Sequence, residues 1–522
     1  MSSPAPKSPE QSDKNKKYDR QIRLWGEHGQ TLLEGAKICL VNANALGCEI
    51  LKGLVLPGIG VFTIVDGSVV SEEDLGVNFF LEPSNLGQSK ASACMTLLQE
   101  LNPDVNGDCV EDSVDYLLSN RPAFFNDFDV VIASNLSEDS LLKLSNYLWE
   151  ANIPLIYCRS LGFFGSIRLQ IKEHCIIESH PDNPQYDLRL EQPFPSLKKH
   201  FDTTLITNKV PWLLVLNKYL EQWKQENSGR IPSNYKEKTQ LRETIRRAMT
   251  NDEENFEEAI KSVNTAFGGG KVTADLKSIF EDEACTNLNK QSKPFWIMAK
   301  ALKEFVHNEN DGMLPLPGVL PDMTADTESY INLQNIYRHQ AIQDADSVYR
   351  RSQAILKELG LSAESISEKA VRLFCKEAAG VTVIRGSKIA DEYERNNRFL
   401  NVIDVEVQGT LIEHYIALRA YERFLTECGN IPGDCYVESD TARLKTVAYK
   451  MLADWGVTQA SLSDDMVHQI CHYGGAEVHT ISAFIAGIAA QEVIKIVTKQ
   501  FKPVDNTFIY NGITSETISL KL

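Results

Sequence analysis

The chain lacks a long apolar run, a paired-cysteine motif and an excess of basic residues. No apolar run reaches about 18 residues, so a membrane-spanning helix is not expected. The 11 cysteines include no C-x-x-C pair, which argues against a zinc ribbon. Scattered, unpaired cysteines are typical of a reducing compartment, so we expect the cytosol or the nucleus. The formal net charge of −18 argues against broad binding to nucleic acid or anionic membranes.

Glycine is missing where a nucleotide-binding loop would need it. Residues 37–66 predict a strand, a loop, a helix and a second strand, and Asp66 is placed to hold a ribose. A phosphate-binding turn needs glycine because backbone N–H groups must approach phosphate with no Cβ in the way. Here Asn42 and Asn44 replace glycine, and only Gly47 is kept. The sequence therefore predicts the scaffold of a nucleotide site without its phosphate-binding surface.

The remaining pattern predicts an α/β domain that is interrupted by a helical insertion. Strand and helix segments alternate over 18–172, which is typical of a doubly wound parallel sheet. Long helical periodicities dominate 173–477, and the α/β pattern returns over 478–522 with the apolar helix 481–498. We therefore expect a discontinuous Rossmann-like domain with a large, mostly helical insertion. The polar segment 1–17 is expected to be a disordered tail.

A basic amphipathic segment, YDRQIRLWG at 18–26, precedes the first predicted strand. Ile22 and Trp25 share one helical face, and Arg20 and Arg23 lie on another. Spacing alone favours a helix with a solvated basic side. A function for either arginine has to come from other observations.

Several segments together resemble a known family. YDRQIRLWG at 18–26, the unit at 37–66 and GAEVHTISAFIAGIAAQEVIKI at 475–496 are similar to the adenylation halves of ubiquitin-like activating enzymes. ESHPDNPQYDLRL at 178–190 and PDMTADTESYINLQNIYR at 321–338 are similar to the regulatory, non-catalytic subunits of neddylation-activating enzymes. The resemblance covers nearly the whole chain after the tail. It implies a subunit whose partners are a catalytic subunit and the neddylation modifier.

The chain departs from the family's ATP site at five places. The replacements are Asn42 and Asn44 for two loop glycines, Ser68 for an acid, Val77 for an arginine, Gln88 for a lysine, and Ser134 or Asn135 for an aspartate that binds magnesium. Magnesium needs carboxylate oxygen, and a triphosphate needs clustered positive charge. The resemblance therefore implies a pseudo-adenylation half that binds no cofactor itself, with ATP and Mg²⁺ in the partner subunit.

The resemblance also assigns roles to individual residues. The first arginine of the family's R-Q-x-R motif reaches the partner's ATP, and that position is Arg20 here; Arg23 is assigned either a phosphate contact or a structural ion pair. The insertion occupies the place of a catalytic-cysteine domain, but Cys285 in an acidic context is not expected to be a nucleophile. A helical stripe is either a surface for the catalytic subunit or part of the insertion's core. Its members are Tyr330, Leu333, Ile336 and Tyr337.

Two other functions fit parts of the sequence. The unit at 37–66 with Asp66 is compatible with a NAD-dependent oxidoreductase, although two of the three fingerprint glycines are absent. That enzyme would show saturable NAD binding. A scaffold or adaptor, for instance one that binds a receptor cytoplasmic tail, needs no chemistry of its own. The identity of the main stoichiometric partner would separate an adaptor from an activating-enzyme subunit.

Overall fold

A computed structural model describes residues 16–183, 185–250, 253–393, 410–434, 436–457 and 462–522. Contacts divide the chain into two units. Unit 1 runs to His174 and resumes at Ile384, and unit 2 is Cys175–Val383. The predicted tail at 1–17 lies outside the described residues except for Lys16 and Lys17. The Nζ of Lys17 donates to Asp104 at 2.8 Å.

The described part of unit 1 contains a mixed sheet of eight strands. The strands of the chain are β1 (Lys37–Val41), β2 (Val61–Val65), β3 (Asn106–Val110), β4 (Val130–Ser134), β5 (Leu155–Leu161), β6 (Phe164–Gln170), β7 (His174–Ile176), β8 (Thr382–Ile384), β9 (Thr507–Asn511) and β10 (Glu516–Leu520). The sheet order is β10-β9-β6-β5-β4-β1-β2-β3. From β3 to β5 the strands are parallel, whereas β6, β9 and β10 pair antiparallel. The parallel order 3-2-1-4-5 is that of a nucleotide-binding half, which confirms the predicted Rossmann-like α/β fold.

Helices flank this sheet and make up most of unit 2. The described helices are α1 (Asp19–Gly35), α2 (Ala45–Val55), α3 (Glu72–Val77), α4 (Lys90–Glu100), α5 (Val114–Asn120), α6 (Glu138–Ala151), α7 (Pro195–Thr203), α8 (Trp212–Glu226), α9 (Tyr235–Ala248), α10 (Glu254–Ser262), α11 (Ala274–Glu281), α12 (Glu283–Thr286), α13 (Pro294–Asn308), α14 (Thr327–Leu359), α15 (Glu368–Lys376), α16 (Leu411–Cys428), α17 (Val437–Asp454), α18 (Asp464–Tyr473) and α19 (His479–Thr498). Local sequence explains many helix starts. At α6, for example, Ser137 accepts a hydrogen bond from the Ser140 backbone N–H, as an N-cap does.

The sheet of unit 1 is buried on both faces. Along β1, Ile38 and Leu40 join one apolar cluster, and Cys39 and Val41 join another. This follows from the period of two in a strand, which sends alternate side chains to opposite faces. Because both faces are covered by helices, the strand is apolar throughout rather than alternating.

One described helix, α19, is long and apolar enough to cross a membrane by length and composition. In the structure it packs against α2 within the first apolar cluster of the sheet. Ile485, Ala489 and Val493 are buried there, and a Cβ added to Gly53 of α2 would lie 2.8 Å from the Cβ of Ala490. Its hydrophobicity is therefore explained by a position in the core.

The insertion ends earlier than the sequence suggested. Unit 2 ends at Val383, whereas the predicted boundary was at residue 477. The helices α16, α17 and α18 belong to unit 1, because their apolar faces form one cluster with Leu161, Phe164 and Ile509 of the sheet. Helical periodicity shows that a segment has an apolar face but does not show which core that face joins.

Unit 2 is mostly helical, as predicted, and contains two apolar clusters in its described residues. One is centred on α13 and includes Trp296 and Leu302. The other is centred on α8 and includes Leu213 and Leu216. Each cluster is large enough to hold its helices together through apolar burial.

Candidate functional site

A cleft of about 1220 Å³ opens in unit 1 at the carboxyl ends of the parallel strands. It is lined by residues that follow directly after four strands: Asn42 after β1, Asp66 after β2, Glu111 after β3 and Asn135 after β4. The strand order reverses between β1 and β4, and open α/β sheets bind ligands at such a switch point. The fold therefore places a ligand cleft where the sequence predicted a nucleotide scaffold.

The loop between β1 and α2 keeps the shape of a nucleotide loop, but its polar groups bond to one another. Asn42 has φ +72°, a left-handed conformation that glycine favours and asparagine tolerates. Its Nδ2 donates to the carbonyl oxygen of Ser134 at 2.7 Å. Asn44 caps α2, since its Oδ1 accepts from the Gly47 N–H at 2.9 Å. A Cβ on Gly47 would lie 2.6 Å from the Asn42 carbonyl oxygen, which explains why this glycine is kept.

The N-terminus of α2 is occupied by a carboxylate of the same chain. Glu477 lies just before α19, and its Oε2 accepts from the Ala45 N–H at 3.0 Å. Its Oε1 accepts from Asn44 Nδ2 at 2.7 Å and from Asn135 Nδ2 at 2.9 Å. A helix N-terminus at this place in the fold is where a phosphate group would bind. Sequence analysis missed Glu477, because no local pattern joins it to a loop more than 400 residues away.

Asp66, predicted to hold a ribose, accepts three hydrogen bonds from its own chain. Its Oδ2 accepts from the Ala43 N–H at 2.8 Å. Its Oδ1 accepts from the backbone N–H of Ser68 at 2.8 Å and from the Ser68 hydroxyl at 2.6 Å. The side chain is also largely buried, with 7% of its surface exposed. Asp66 therefore stabilises the loops around the cleft, and three of the roughly four acceptor sites of its carboxylate are already used by its own chain.

The cleft is strongly acidic. Among the described residues that line it, Lys90 is the one basic side chain, and its Nζ is paired with Asp74 at 2.8 Å. Val77, which was predicted to replace an arginine, lines the cleft. The acidic lining residues are Asp66, Glu73, Asp74, Glu111, Asp112, Asp115, Asp434 and Glu477. This charge distribution repels a triphosphate instead of neutralising it.

Ser134 and Asn135, the two candidates for the position of the magnesium-binding aspartate, differ in their surroundings. Ser134 is fully buried, and its hydroxyl donates to Asn44 Oδ1 at 2.7 Å. Asn135 lines the cleft instead, and its Oδ1 accepts from the Ser160 N–H at 3.3 Å. Gln88 donates to the Ser84 carbonyl oxygen at 2.9 Å and is not among the lining residues. The residues present therefore do not fit ATP with Mg²⁺, because the cleft offers neither the carboxylate nor the positive charge in those positions.

The two arginines of α1 differ in their surroundings. Arg20 is exposed and has no ion pair among the described residues. Arg23 pairs with Asp19 at 2.8 Å, one turn away on the same helix, and is 77% exposed. Of the two roles considered for Arg23, the ion pair is the one present in this structure. Arg20 has the free guanidinium group that a contact in trans would need.

The helical stripe of α14 belongs to the core of unit 2. Leu333 and Tyr337 are 0% exposed, and the Tyr337 hydroxyl donates to the Leu188 carbonyl oxygen at 2.6 Å. Ile336 packs against the same cluster, and the Tyr330 hydroxyl donates to the Pro321 carbonyl oxygen at 3.3 Å. The predicted partner surface is therefore corrected for Leu333 and Tyr337, since fully buried side chains offer no surface to another protein. Helical spacing fits a core stripe and a docking stripe equally well.

Cys285 lacks the properties of a thioester nucleophile. It is buried in the α13 cluster of unit 2. Burial raises the pKa of its thiol to about 11, so the thiolate that would act as nucleophile is scarce near neutral pH. Among the described residues, no group of three or more histidine, cysteine or acidic side chains is arranged to hold a metal ion.

The stability of unit 1 should depend on pH through Glu477. Burial and the nearby Asp74 raise its pKa to about 7, although the hydrogen-bond donors around it act in the opposite direction. A raised pKa in the folded state means that the folded protein keeps a proton that the unfolded chain loses above its ordinary pKa. The stabilising contribution of Glu477 is therefore greatest below about pH 4.5 and is lost as the pH rises through about 7.

We expect the free energy of unfolding of wild type, relative to Glu477→Gln, to fall by about 2 kcal/mol between pH 5 and pH 8. Urea unfolding of both proteins at the two pH values measures this difference. If the free energy of unfolding of wild type relative to Glu477→Gln stays constant or rises with pH, the hydrogen-bond donors outweigh burial in setting the pKa of Glu477.

Comparison with known proteins identifies the family of this chain. The model of the ThiF family matches residues 18–522. The Nedd8-activating enzyme E1 regulatory subunit of Drosophila melanogaster is 68% identical over 525 residues, covering 100% of each chain. The protein of the same name from Xenopus laevis is 46% identical and covers 98% of this chain and 99% of its own. The NEDD8-activating enzyme E1 regulatory subunit AXR1 of Arabidopsis thaliana is 42% identical, with 97% and 96% covered.

These matches extend over both units and over the acidic cleft, at identities that leave no doubt about common descent. The chain therefore belongs to the ThiF family and, within it, to the NEDD8-activating enzyme E1 regulatory subunits.

Proposed function

We propose that this chain is the non-catalytic half of a heterodimeric enzyme that activates NEDD8. The observation that supports this most strongly is the cleft of unit 1. It keeps the fold of a nucleotide site, but the α2 N-terminus holds Glu477, Asp66 is bonded within the chain, and the one lining lysine is paired. The adenylation of NEDD8 with ATP and Mg²⁺ then takes place in a catalytic partner subunit, and this chain forms no thioester.

Arg20 is the residue that we assign to the partner's active site. The segment around it is anchored to unit 1 by neighbouring side chains. Tyr18 is buried, and Gln21 Nε2 donates to the Pro57 carbonyl oxygen at 2.7 Å. With these neighbours held, the exposed guanidinium of Arg20 is presented to solvent on a fixed helix. A permanently charged planar group of this kind suits a terminal phosphate supplied by another subunit.

The alternatives from the sequence are less well supported. A NAD-dependent oxidoreductase would use the Asp66 carboxylate for a ribose, whereas that carboxylate already accepts three hydrogen bonds from Ala43 and Ser68. An adaptor role with a receptor cytoplasmic tail does not compete with the activating-enzyme role and stays a proposal. Location in the cytosol or nucleus also stays a proposal, supported by the cysteines of the described residues, among which no disulfide is formed.

The proposed function is tested by ATP–pyrophosphate exchange. We expect the isolated chain to show no NEDD8-dependent exchange, because its cleft has neither the charge nor the ligands for ATP with Mg²⁺. When the catalytic subunit is added at a stoichiometric ratio, we expect exchange to appear. Omission of NEDD8 is the control, since adenylation requires its carboxylate. Robust exchange by the isolated chain would refute the assignment.

Restoring the loop glycines should not restore ATP binding. The double variant Asn42→Gly and Asn44→Gly leaves Val77 and Asn135 unchanged. It therefore does not restore the arginine and the aspartate that the resemblance expects in an active ATP site. Glu477 also still bonds the Ala45 N–H. We therefore expect calorimetry with ATP and Mg²⁺ to show no saturable binding by the variant, as for wild type. Tight ATP binding would show that the loop alone controls the site.

A further inference from the structure

Three chain segments meet at the carboxylate of Glu477. Its hydrogen-bond donors are the Ala45 backbone N–H and the side-chain amides of Asn44 and Asn135. These donors lie at the start of α2 and directly after β4, on the two sides of the switch point in the sheet. Asn44 is also one of the residues at which the resemblance predicts a departure from the family's ATP site, and Asn135 is one of the two candidates for another. The substitutions and the carboxylate therefore form one cluster.

The carboxylate provides what a phosphate group would provide at this place. It carries negative charge at the positive end of α2, and its two oxygens accept from groups that would otherwise bind phosphate oxygens. It is held there by the backbone, because Gly162 N–H donates to the Ala476 carbonyl oxygen at 2.8 Å and α19 begins at His479. An acceptor fixed in this way competes with free anions at a high effective concentration.

Electrostatics favours an amide over an acid at position 135, next to Glu477. Its Nδ2 lies 2.9 Å from the Glu477 carboxylate and donates to it. An aspartate at the same position would place a second carboxylate against the first, and like charges at that distance repel strongly. Glu477 therefore disfavours an acidic residue at position 135.

We propose that Glu477 is the resident anion of the α2 N-terminus and the residue that excludes phosphate-bearing ligands from this cleft. This inference deepens the proposed function and rests on the non-catalytic assignment of this half. The excluded ligands are inorganic phosphates and polyphosphates. They bind at the α2 N-terminus when the Glu477 carboxylate is removed by substitution.

The test uses the isolated full chain and inorganic pyrophosphate without magnesium. Calorimetry is done at about pH 8, where the Glu477 carboxylate is ionised, in about 0.15 M salt to screen the other acids. Glu73→Ala is the matched control, because Glu73 lines the same cleft and its loss removes the same charge without freeing the Ala45 N–H. We expect Glu477→Ala to bind pyrophosphate at least about tenfold more tightly than wild type or Glu73→Ala. Equal binding by the two variants, or none by either, overturns the proposal.

A second measurement does not depend on Glu477→Ala being well folded. Asn135→Asp is made in wild type and in Glu477→Gln, and urea midpoints are compared as a double-mutant cycle. We expect the substitution to lower the midpoint clearly in wild type and much less when Glu477 is neutral. Equal shifts in both backgrounds would overturn the coupling. Neither measurement involves the catalytic subunit, so failure here and failure of the exchange assay are separate results.

Discussion

Replacing Arg20 by alanine lowers NEDD8-dependent ATP–pyrophosphate exchange of the heterodimer by about a hundredfold or more, on the scale of other arginines supplied in trans. The reason is that Arg20 is exposed, carries no ion pair among the described residues and lies on a helix anchored by Tyr18 and Gln21. Its charge is therefore available to phosphate oxygens of a neighbouring subunit. The measurement compares purified heterodimers at saturating NEDD8, after gel filtration has shown that the variant still assembles.

Arg23→Ala is the matched control for this result. It removes the same charge from the next turn of α1, but Arg23 is paired with Asp19 and highly exposed. An exposed pair of this kind contributes little, so we expect a change in exchange below about threefold. If Arg23→Ala were as damaging as Arg20→Ala, the basic face of α1 as a whole would act on the partner. If neither variant changed exchange, Arg20 would have no role in trans.

Replacing Glu392 by glutamine lowers the free energy of unfolding of unit 1 by about 3–5 kcal/mol. Glu392 is 1% exposed and accepts from the Tyr415 hydroxyl at 2.6 Å, from Arg168 Nε at 2.5 Å and from Arg419 Nη1 at 3.2 Å. Both arginines are also buried. Glutamine keeps the size of the side chain but leaves two buried guanidinium groups without their shared carboxylate, and an uncompensated buried charge is costly.

The matched control is Glu427→Gln on α16. Glu427 pairs with Lys450 at 2.9 Å on the surface, so the same substitution there should cost less than about 1 kcal/mol. Pulse proteolysis in urea measures both variants in the full chain and does not require one two-state transition for the whole protein. Equal midpoints for the two variants would show that the buried network contributes nothing to the stability of unit 1.

Much of the fold could be predicted because its signals are local. Apolar strands alternating with helices over 18–172 predicted the parallel sheet, although β3 (Asn106–Val110) is not apolar and was not predicted. The loop Asn42–Gly47 predicted a site that had lost two of its glycines. The end of the insertion could not be predicted, since α16 to α18 carry the same periodicity as the helices of unit 2. For the same reason the stripe with Leu333 and Tyr337 was compatible with a partner surface and with a core, and in the structure these two side chains fill a core. Periodicity records that a face is apolar, and only packing decides what covers it.

The sequence by itself predicted the loss of phosphate-binding chemistry, because each position at which the resemblance expects a glycine, an acid or a basic residue can be read directly. It also pointed to Arg20 through the resemblance of a short motif. Only the tertiary structure decided what occupies the site instead. Lys90 is neutralised by Asp74, and the α2 N-terminus is bonded by Glu477 from the far end of the chain. These contacts join residues distant in sequence, and hydrogen bonds between such residues exist only once the sheet has brought its carboxyl edge and the start of α19 together.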